Sequence, residues 1–265
     1  NEGALEFAYQ GPLLKLKNGP ISFTITGNVN FNILRKDSKV EKGNCFESYF
    51  LEDEDQIDII STQHTVFGYL SVDGGFISNK IWNSCSTNTK AEVGPNNGKK
   101  FSKNEKIYIK RTSIKNFVKK KIDFTNSIQK DIRVLKGTNF DYFSEESKNK
   151  FFKEEYSVTK LSDRMGMRLD GPKLENIVNT NIKSEGLVKG VIQVPADGRP
   201  IILFSDHGTI GGYPKIGVVI TADHDNSSQL VPGSKIKFRE VTLDEAQELF
   251  IFYNNEITKY ISQIR

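Results

Sequence analysis

Arginine and glycine alternate over Arg164-Met165-Gly166-Met167-Arg168, within the segment Ser162 to Leu169. Read as a strand, this segment puts Met165, Met167 and Leu169 on one face and Arg164, Gly166 and Arg168 on the other. Two guanidinium groups would stand ~7 Å apart with only a glycine between them, a notch suited to a carboxylate or phosphate. The competing reading pairs each arginine with a local acid such as Asp163, Asp170 or Glu185. Spacing alone leaves both open.

A second chemistry-bearing stretch is Asp206-His207-Gly208-Thr209-Ile210-Gly211-Gly212-Tyr213-Pro214-Lys215. Its glycines permit backbone conformations that turn N–H groups toward an anion. Tyr213 can hydrogen-bond or stack, Lys215 supplies a point charge, and Thr209 adds a hydroxyl. Gln193, which opens Gln193-Val194-Pro195-Ala196-Asp197-Gly198, adds an amide to this candidate anion- or substrate-binding set. The stretch is not a P-loop: it lacks G-x-x-x-x-G-K-[ST], and Gly94 to Lys100 fails the same test. Of the three histidines, His207 is the candidate general acid or base, because Asp206 and the glycine loop adjoin it. Asp206 and His207 are thus the catalytic pair expected. His64, His207 and His224 are too dispersed to suggest a metal site, and a plain tight turn remains the simpler reading of Gly211-Gly212.

Short strands must carry these segments. Leu5 to Ala8, Ile21 to Thr26, Ile57 to Ile60, Thr65 to Val72 and Ile107 to Ile109 are rich in β-branched and aromatic residues. Further on, Val191 to Val194 and Pro200 to Phe204 flank a hairpin turn, and Ile216 to Thr221 reads as a buried strand. Ser144 to Lys153 predicts a short helix capped by Ser144. Thr242 and Glu245 form a capping box for a C-terminal amphipathic helix. Its apolar stripe (Ala246, Leu249, Phe250, Tyr253, Ile257, Tyr260, Ile261, Ile264) reads as core or subunit interface. The fold class expected is mainly β with a few helices, a β-rich α+β chain. A lysine-rich connector, Lys110 to Lys130, suggests two domains, 1–115 and 116–265.

Bulk properties narrow the partners. The net charge of +4 is too small to argue for nucleic acid, and the lysines between Lys99 and Lys136 read as a solvated face. Cys45 and Cys85 form neither a disulfide framework nor a zinc motif, which fits a reducing, cytoplasmic setting. No apolar run approaches the ~20 residues of a membrane helix. The chain opens at Asn1 rather than methionine, so a targeting segment is not addressed by its start.

Taken in order, the segments resemble the allophanate hydrolase subunit 2 family. That family includes the C subunit of 5-oxoprolinase, the Kip-type regulator of sporulation kinase control, and the second half of the urea carboxylase carboxyltransferase domain. The resemblance runs from Gly3-Ala4-Leu5-Glu6-Phe7 with Gly11-Pro12, through Thr26-Gly27, Gly74-Gly75 and Ile132-Arg133-Val134-Leu135 with Gly137. It continues over Ser162 to Pro172, Gly190 to Gly198, Gly211 to Ile216, Ala222-Asp223 and Pro232-Gly233. The chain departs from the family pattern in three places. A glycine-rich stretch expected ahead of Leu5 is missing, Cys85 stands where an arginine is usual, and Gly208-Thr209-Ile210-Gly211-Gly212 replaces Gln-Thr-Thr-Gly-Gly.

The resemblance implies cyclophilin-like β-barrels and work beside a sister subunit of the allophanate hydrolase subunit 1 or Kip-inhibitor type, with a lactam-utilisation protein. It implies an ATP-dependent amide (lactam) hydrolase that opens 5-oxoproline to L-glutamate, with ATP bound by the complex. Two alternatives share the signature segments. One is carboxyl transfer to urea or another amide from biotin carried on another chain. The other is a non-catalytic regulator that binds a kinase inhibitor.

Overall fold

A computed structural model describes residues 3–110, 112, 116–124, 129–178 and 181–263. The chain divides into two compact units, one over residues 1–126 and the other over residues 127–261.

The first unit is built from alternation. Strands β3 (Ile21–Thr26) and β4 (Val29–Leu34) bury every second residue, as period-2 patterning requires. With β1 (Leu5–Ala8), β2 (Leu13–Lys15), β5 (Val40–Lys42), β6 (Ser48–Leu51), β7 (Gln56–Thr62) and β8 (Phe67–Val72) they form two four-stranded antiparallel sheets. The orders are β1-β8-β3-β6 and β2-β7-β4-β5. Side chains from both sheets share one core, including Phe23, Ile25, Phe31, Ile33, Tyr49, Ile59 and Leu70. Ile107 to Ile109 does not become a strand: a single bridge joins Ile109 to Phe76, and Tyr108 is exposed.

The lysine-rich segment 116–124 lies with this first unit, where the sequence had placed it in the second domain. Its aromatics hold it there. Phe117 packs on Phe50 and Phe124 on Phe46, while Lys119 Nζ binds Glu47 at 2.7 Å and Ser48 donates to the Lys120 carbonyl. The lysines mark a solvated face, and the phenylalanines between them decide the docking.

The second unit is a closed seven-stranded barrel. Its strands are β9 (Asp131–Lys136), β10 (Tyr156–Val158), β11 (Gly166–Asp170), β13 (Val191–Gln193), β14 (Ile201–Leu203), β16 (Lys215–Val219) and β17 (Lys235–Glu240). The order is β10-β11-β14-β13-β16-β9-β17, closing from β17 back to β10; only β17 and β9 run parallel. A separate two-stranded ribbon pairs β12 (Glu185–Gly186) with β15 (Ile210–Gly211). Hairpin β13–β14 forms where its turn signal places it.

Helix α1 (Glu145–Lys153) starts at Ser144, whose hydroxyl accepts from Ser147 N at 3.2 Å as an N-cap. It plugs the barrel with Phe151, which is fully buried and stacked on Phe238 at 4.4 Å between centroids. Ser144→Ala should cost about 1 kcal/mol of stability, read by chemical denaturation. A short helix, α2 (His224–Ser228), follows β16. The capping box also forms: Thr242 N donates to Glu245 at 2.7 Å and Glu245 N to Thr242 Oγ1 at 3.2 Å. The helix it opens, α3 (Leu243–Ser262), buries no residue fully. Its expected stripe splits: Ala246, Leu249, Tyr253 and Tyr260 are half-buried, while Phe250, Ile257 and Ile261 are exposed. Ile264 lies outside the described residues.

Candidate functional site

Arg164 is not on a strand. Asp163 folds a tight turn, its carboxylate accepting from Met165 N at 2.8 Å and Gly166 N at 3.3 Å, so β11 starts only at Gly166. This corrects the alternation expected from Arg164 onward. Met167 and Leu169 are buried, but Met165 is 38% exposed, because the turn displaces it from the inward-facing row. Gly166 packs closely against β14. A Cβ there would meet the Ile202 carbonyl at 2.9 Å across the β11–β14 pair. The Arg164 guanidinium embraces a residue 42 positions away: Nε reaches Asp206 Oδ2 at 3.0 Å and Nη2 reaches Oδ1 at 3.4 Å. Thus Arg164 meets the acid expected to be catalytic.

The backbone brings a different group together at the other end of β14. Register runs laterally from Arg168 to Ile201, from Ile201 to Gln193, and from Gln193 to Lys215. Their neighbours Met167, Ile192, Ile202 and Ile216 fill the barrel core. Alternation therefore puts Arg168, Gln193 and Lys215 on the outer wall. Arg168 is exposed there, but Gln193 and Lys215 are buried. The β12–β15 ribbon covers them. A Cβ on Gly211 would sit 2.8 Å from Gln193 Nε2 and 2.8 Å from Leu187, so the ribbon lies directly against both side chains. Gln193 Nε2 donates to the Tyr213 carbonyl at 3.4 Å, and the Tyr213 ring is partly exposed above it.

Lys215 is the unusual residue of this group. Its side chain is 5% exposed, yet it ends in an ammonium. Nζ donates to Glu185 Oε2 at 2.7 Å and to Asn139 Oδ1 at 3.3 Å. The same Asn139 oxygen accepts the Lys215 backbone N–H at 3.1 Å, and Asn139 N returns a bond to the Lys215 carbonyl at 3.2 Å. A buried charge persists only when paired and hydrogen-bonded, so this one is held deliberately. Such a group can bind a carboxylate or stabilise negative charge that develops on a reacting oxygen.

Topology explains why the expected site divides. Strands β14 and β16 both pair antiparallel with β13, so they run parallel to each other. The connection from Phe204 to Pro214 must then travel the length of the barrel wall. It leaves Asp206 and His207 near the Arg164 end and delivers Tyr213 and Lys215 to the Gln193 end. His207 Nδ1 lies 2.6 Å from the Gly208 carbonyl. Thr209 is exposed, and its carbonyl accepts from Leu187 N in the ribbon. Gly208, Gly211 and Gly212 all keep φ outside the left-handed region. None of them thus supplies a left-handed residue to an anion nest, and Gly211 is paired as strand in the ribbon.

Asn139 and Glu185 escaped the sequence reading as members of the site. Neither stands in a motif; each reaches Lys215 only because the barrel closes and the ribbon folds over it. Among the described residues no cluster of three or more His, Cys, Asp or Glu could hold a metal ion.

His224 is structural. Its Nε2 lies 3.1 Å from the Val219 carbonyl, beside Asp223, which takes the Arg133 guanidinium Nε at 3.0 and 3.1 Å. Burial, and secondarily the charge of Lys189, holds the His224 imidazole below its ordinary pKa. The unfolded chain therefore takes up this proton first as pH falls. Stability present near neutrality is lost below the ordinary value of about 6.5. His224→Gln should flatten that part of the profile: between about pH 7 and about pH 5 its Tm should drop less than that of the wild type.

Comparison with known proteins places this architecture. The model of the family described as "Carboxyltransferase domain, subdomain A and B" matches residues 1–240. The C subunit of the 5-oxoprolinase of Haemophilus influenzae is 36% identical over 201 residues, which are 76% of this chain and 63% of that protein. Its Escherichia coli counterpart is 34% identical over 187 residues, 69% of this chain and 59% of the relative. The chain thus spans less than two thirds of the length of either. The crystal structure of the K. lactis urea amidolyase superposes with a TM-score of 0.85 at 23% identity, over 98% of this chain and 17% of that one. At that identity the likeness is one of fold. The resemblance carried by the glycine and arginine segments is borne out, and the chain belongs to the carboxyltransferase domain, subdomain A and B, family.

Proposed function

We propose that this chain is a subunit of an ATP-dependent 5-oxoprolinase, a complex that opens 5-oxoproline to L-glutamate. The observation that carries the reading is the 36% and 34% identity to two proteins named as the C subunit of 5-oxoprolinase. The fungal urea amidolyases stand lower, at 30% over 118 residues and 25% over 201. The reaction adds a water oxygen to the lactam carbonyl carbon, breaks the ring C–N bond and returns a proton to nitrogen. ATP activates the otherwise inert amide. The sequence carries no P-loop pattern, so ATP is assigned to a partner subunit of the lactam-utilisation type. A sister subunit of the allophanate hydrolase subunit 1 type completes the complex, which we place in the cytoplasm on its use of ATP and on two free cysteines.

In this reading Lys215, with Gln193 and Tyr213 beside it, binds the substrate and its negative charge. Asp206 and His207 stand at the far end of the wall, out of hydrogen-bond reach of a lactam held by Lys215, so this reading gives them no proton transfer at it. Arg164 and Asp206 form a structural ion pair there. Arg164→Ala should lower Tm with little change in kcat or KM, and Asp206→Asn combined with it should add nothing further, as expected of one unit. Full additivity of the two losses would contradict that pairing.

Reconstitution tests the whole reading. The chain is combined with its neighbouring-gene subunits, and glutamate release from 5-oxoproline and ATP is measured, with carboxyl transfer from carboxybiotin to urea as the rival assay. Transfer without glutamate release would favour the carboxyltransferase alternative, to which the urea amidolyase fold also relates. Tight binding of a sister subunit with neither activity would favour a regulator.

A further inference from the structure

The Lys215–Glu185 pair is lopsided. Asn139, itself 4% exposed, tethers the cation to the barrel wall by accepting from Nζ at 3.3 Å. Glu185 is 45% exposed and rides on β12, a two-residue strand whose residues are both exposed. A Cβ added at the neighbouring Gly186 would meet nothing within 4 Å. Its partner strand β15 is equally short, and Ile210 within it is 67% exposed. A ribbon of this size with so little buried surface opens at low cost. Its carboxylate can leave; the ammonium cannot follow it into water.

We propose that Glu185 holds the place of a ligand carboxylate, and that Lys215 exchanges one for the other when the ribbon lifts. Lifting the ribbon uncovers the ammonium and breaks its charge-assisted bond to Glu185, so an arriving anion that restores that bond favours the open form. An ammonium carries three N–H donors, and Nζ uses two among the described residues, on Glu185 and Asn139. A small ligand carboxylate takes the Glu185 position and reaches the third donor as well. The Gln193 amide and the Tyr213 ring then border the rest of the ligand. That 5-oxoproline is the ligand rests on the reading under Proposed function; the carboxylate exchange rests on this geometry alone. Glu185 is thereby a built-in competitor that sets apparent affinity. Its neutral isostere should lower KM for 5-oxoproline on the order of tenfold.

The test uses the Glu185→Gln chain in thermal melts with sodium acetate, 5-oxoproline or, as neutral control, propionamide. The variant is expected to melt below the wild type. Acetate and 5-oxoproline should raise its Tm with dose, propionamide should not, and Glu185→Gln combined with Lys215→Met should lose the response. A Glu185→Gln chain indifferent to both carboxylates, or a double variant that still responds, would overturn the exchange. Should the variant fail to fold, the wild type decides. Deuterium uptake over residues 183–187 should rise in saturating acetate or 5-oxoproline, and unchanged uptake would overturn the proposal equally. Acetate rescue in a chain whose complex releases no glutamate supports the carboxylate site and removes only the 5-oxoprolinase reading.

Discussion

Replacing Lys215 by methionine should lower glutamate formation by the reconstituted complex by a factor of about 10²–10³, the usual loss when one buried electrostatic donor is removed. The fold should survive. Methionine fills the same narrow, unbranched slot, and Glu185, already 45% exposed, turns to solvent without stranding a buried charge. Lys215→Arg is not a mild alternative, since a planar guanidinium does not fit where Nζ sits between Asn139 Oδ1 at 3.3 Å and Glu185 Oε2 at 2.7 Å. The decisive comparison is turnover beside a thermal melt of the same preparation. A methionine variant that melts normally and turns over normally would show Lys215 to be a buried counter-ion and nothing more.

The largest loss of stability is expected at Phe151. Its ring is fully buried, stacks on Phe238 at 4.4 Å and meets Phe152 edge-on at 4.9 Å. Alanine would delete these contacts from a closed barrel that cannot collapse onto the void. The expected cost is about 3–5 kcal/mol, read by denaturant unfolding. At roughly 2–4 °C per kcal/mol for a domain of this size, Tm should fall by on the order of 10 °C. Function should suffer too, through a traceable path. Phe152, next to it on α1, packs on Phe140 at 6.1 Å, and Phe140 directly follows Asn139, the residue that orients Lys215. Phe151→Leu keeps most of the volume and should retain most of both properties. An alanine variant within 1 kcal/mol of wild type would mean that α1 is not the plug of this barrel.

Local signals in the sequence were good guides where a single element decides its own fate. Alternation marked β3, the β13–β14 hairpin followed its turn residues, and Ser144 and Thr242 capped the helices they precede. Signals failed where tertiary context decides. Ile107 to Ile109 has strand composition, but it meets only Phe76 as a bridge partner and leaves Tyr108 in solvent. The 116–124 segment reads as charge, yet Phe117 and Phe124 anchor it. Arg164 stood out as a candidate by residue type, but Asp206, which it binds, lies 42 residues away, across a turn that also moved Met165 out of register.

The division of the site has the same origin. Lys215, Gln193, Asp206 and His207 all stood out by residue type, and a short connection from Phe204 to Pro214 made them look like one constellation. Only the parallel relation of β14 and β16 reveals that this connection spans the barrel wall. Asn139 was invisible, and Glu185 was weighed only as a partner for the arginines, for the complementary reason: their chemistry comes from where closure puts them, not from their neighbours in sequence.

Glutamate released from 5-oxoproline and ATP by the reconstituted complex, with this chain present and then withheld, tests the central claim most directly. Release that requires the chain, and that falls with Lys215→Met, is the predicted result. A verified complex that releases glutamate equally well without the chain would contradict the account.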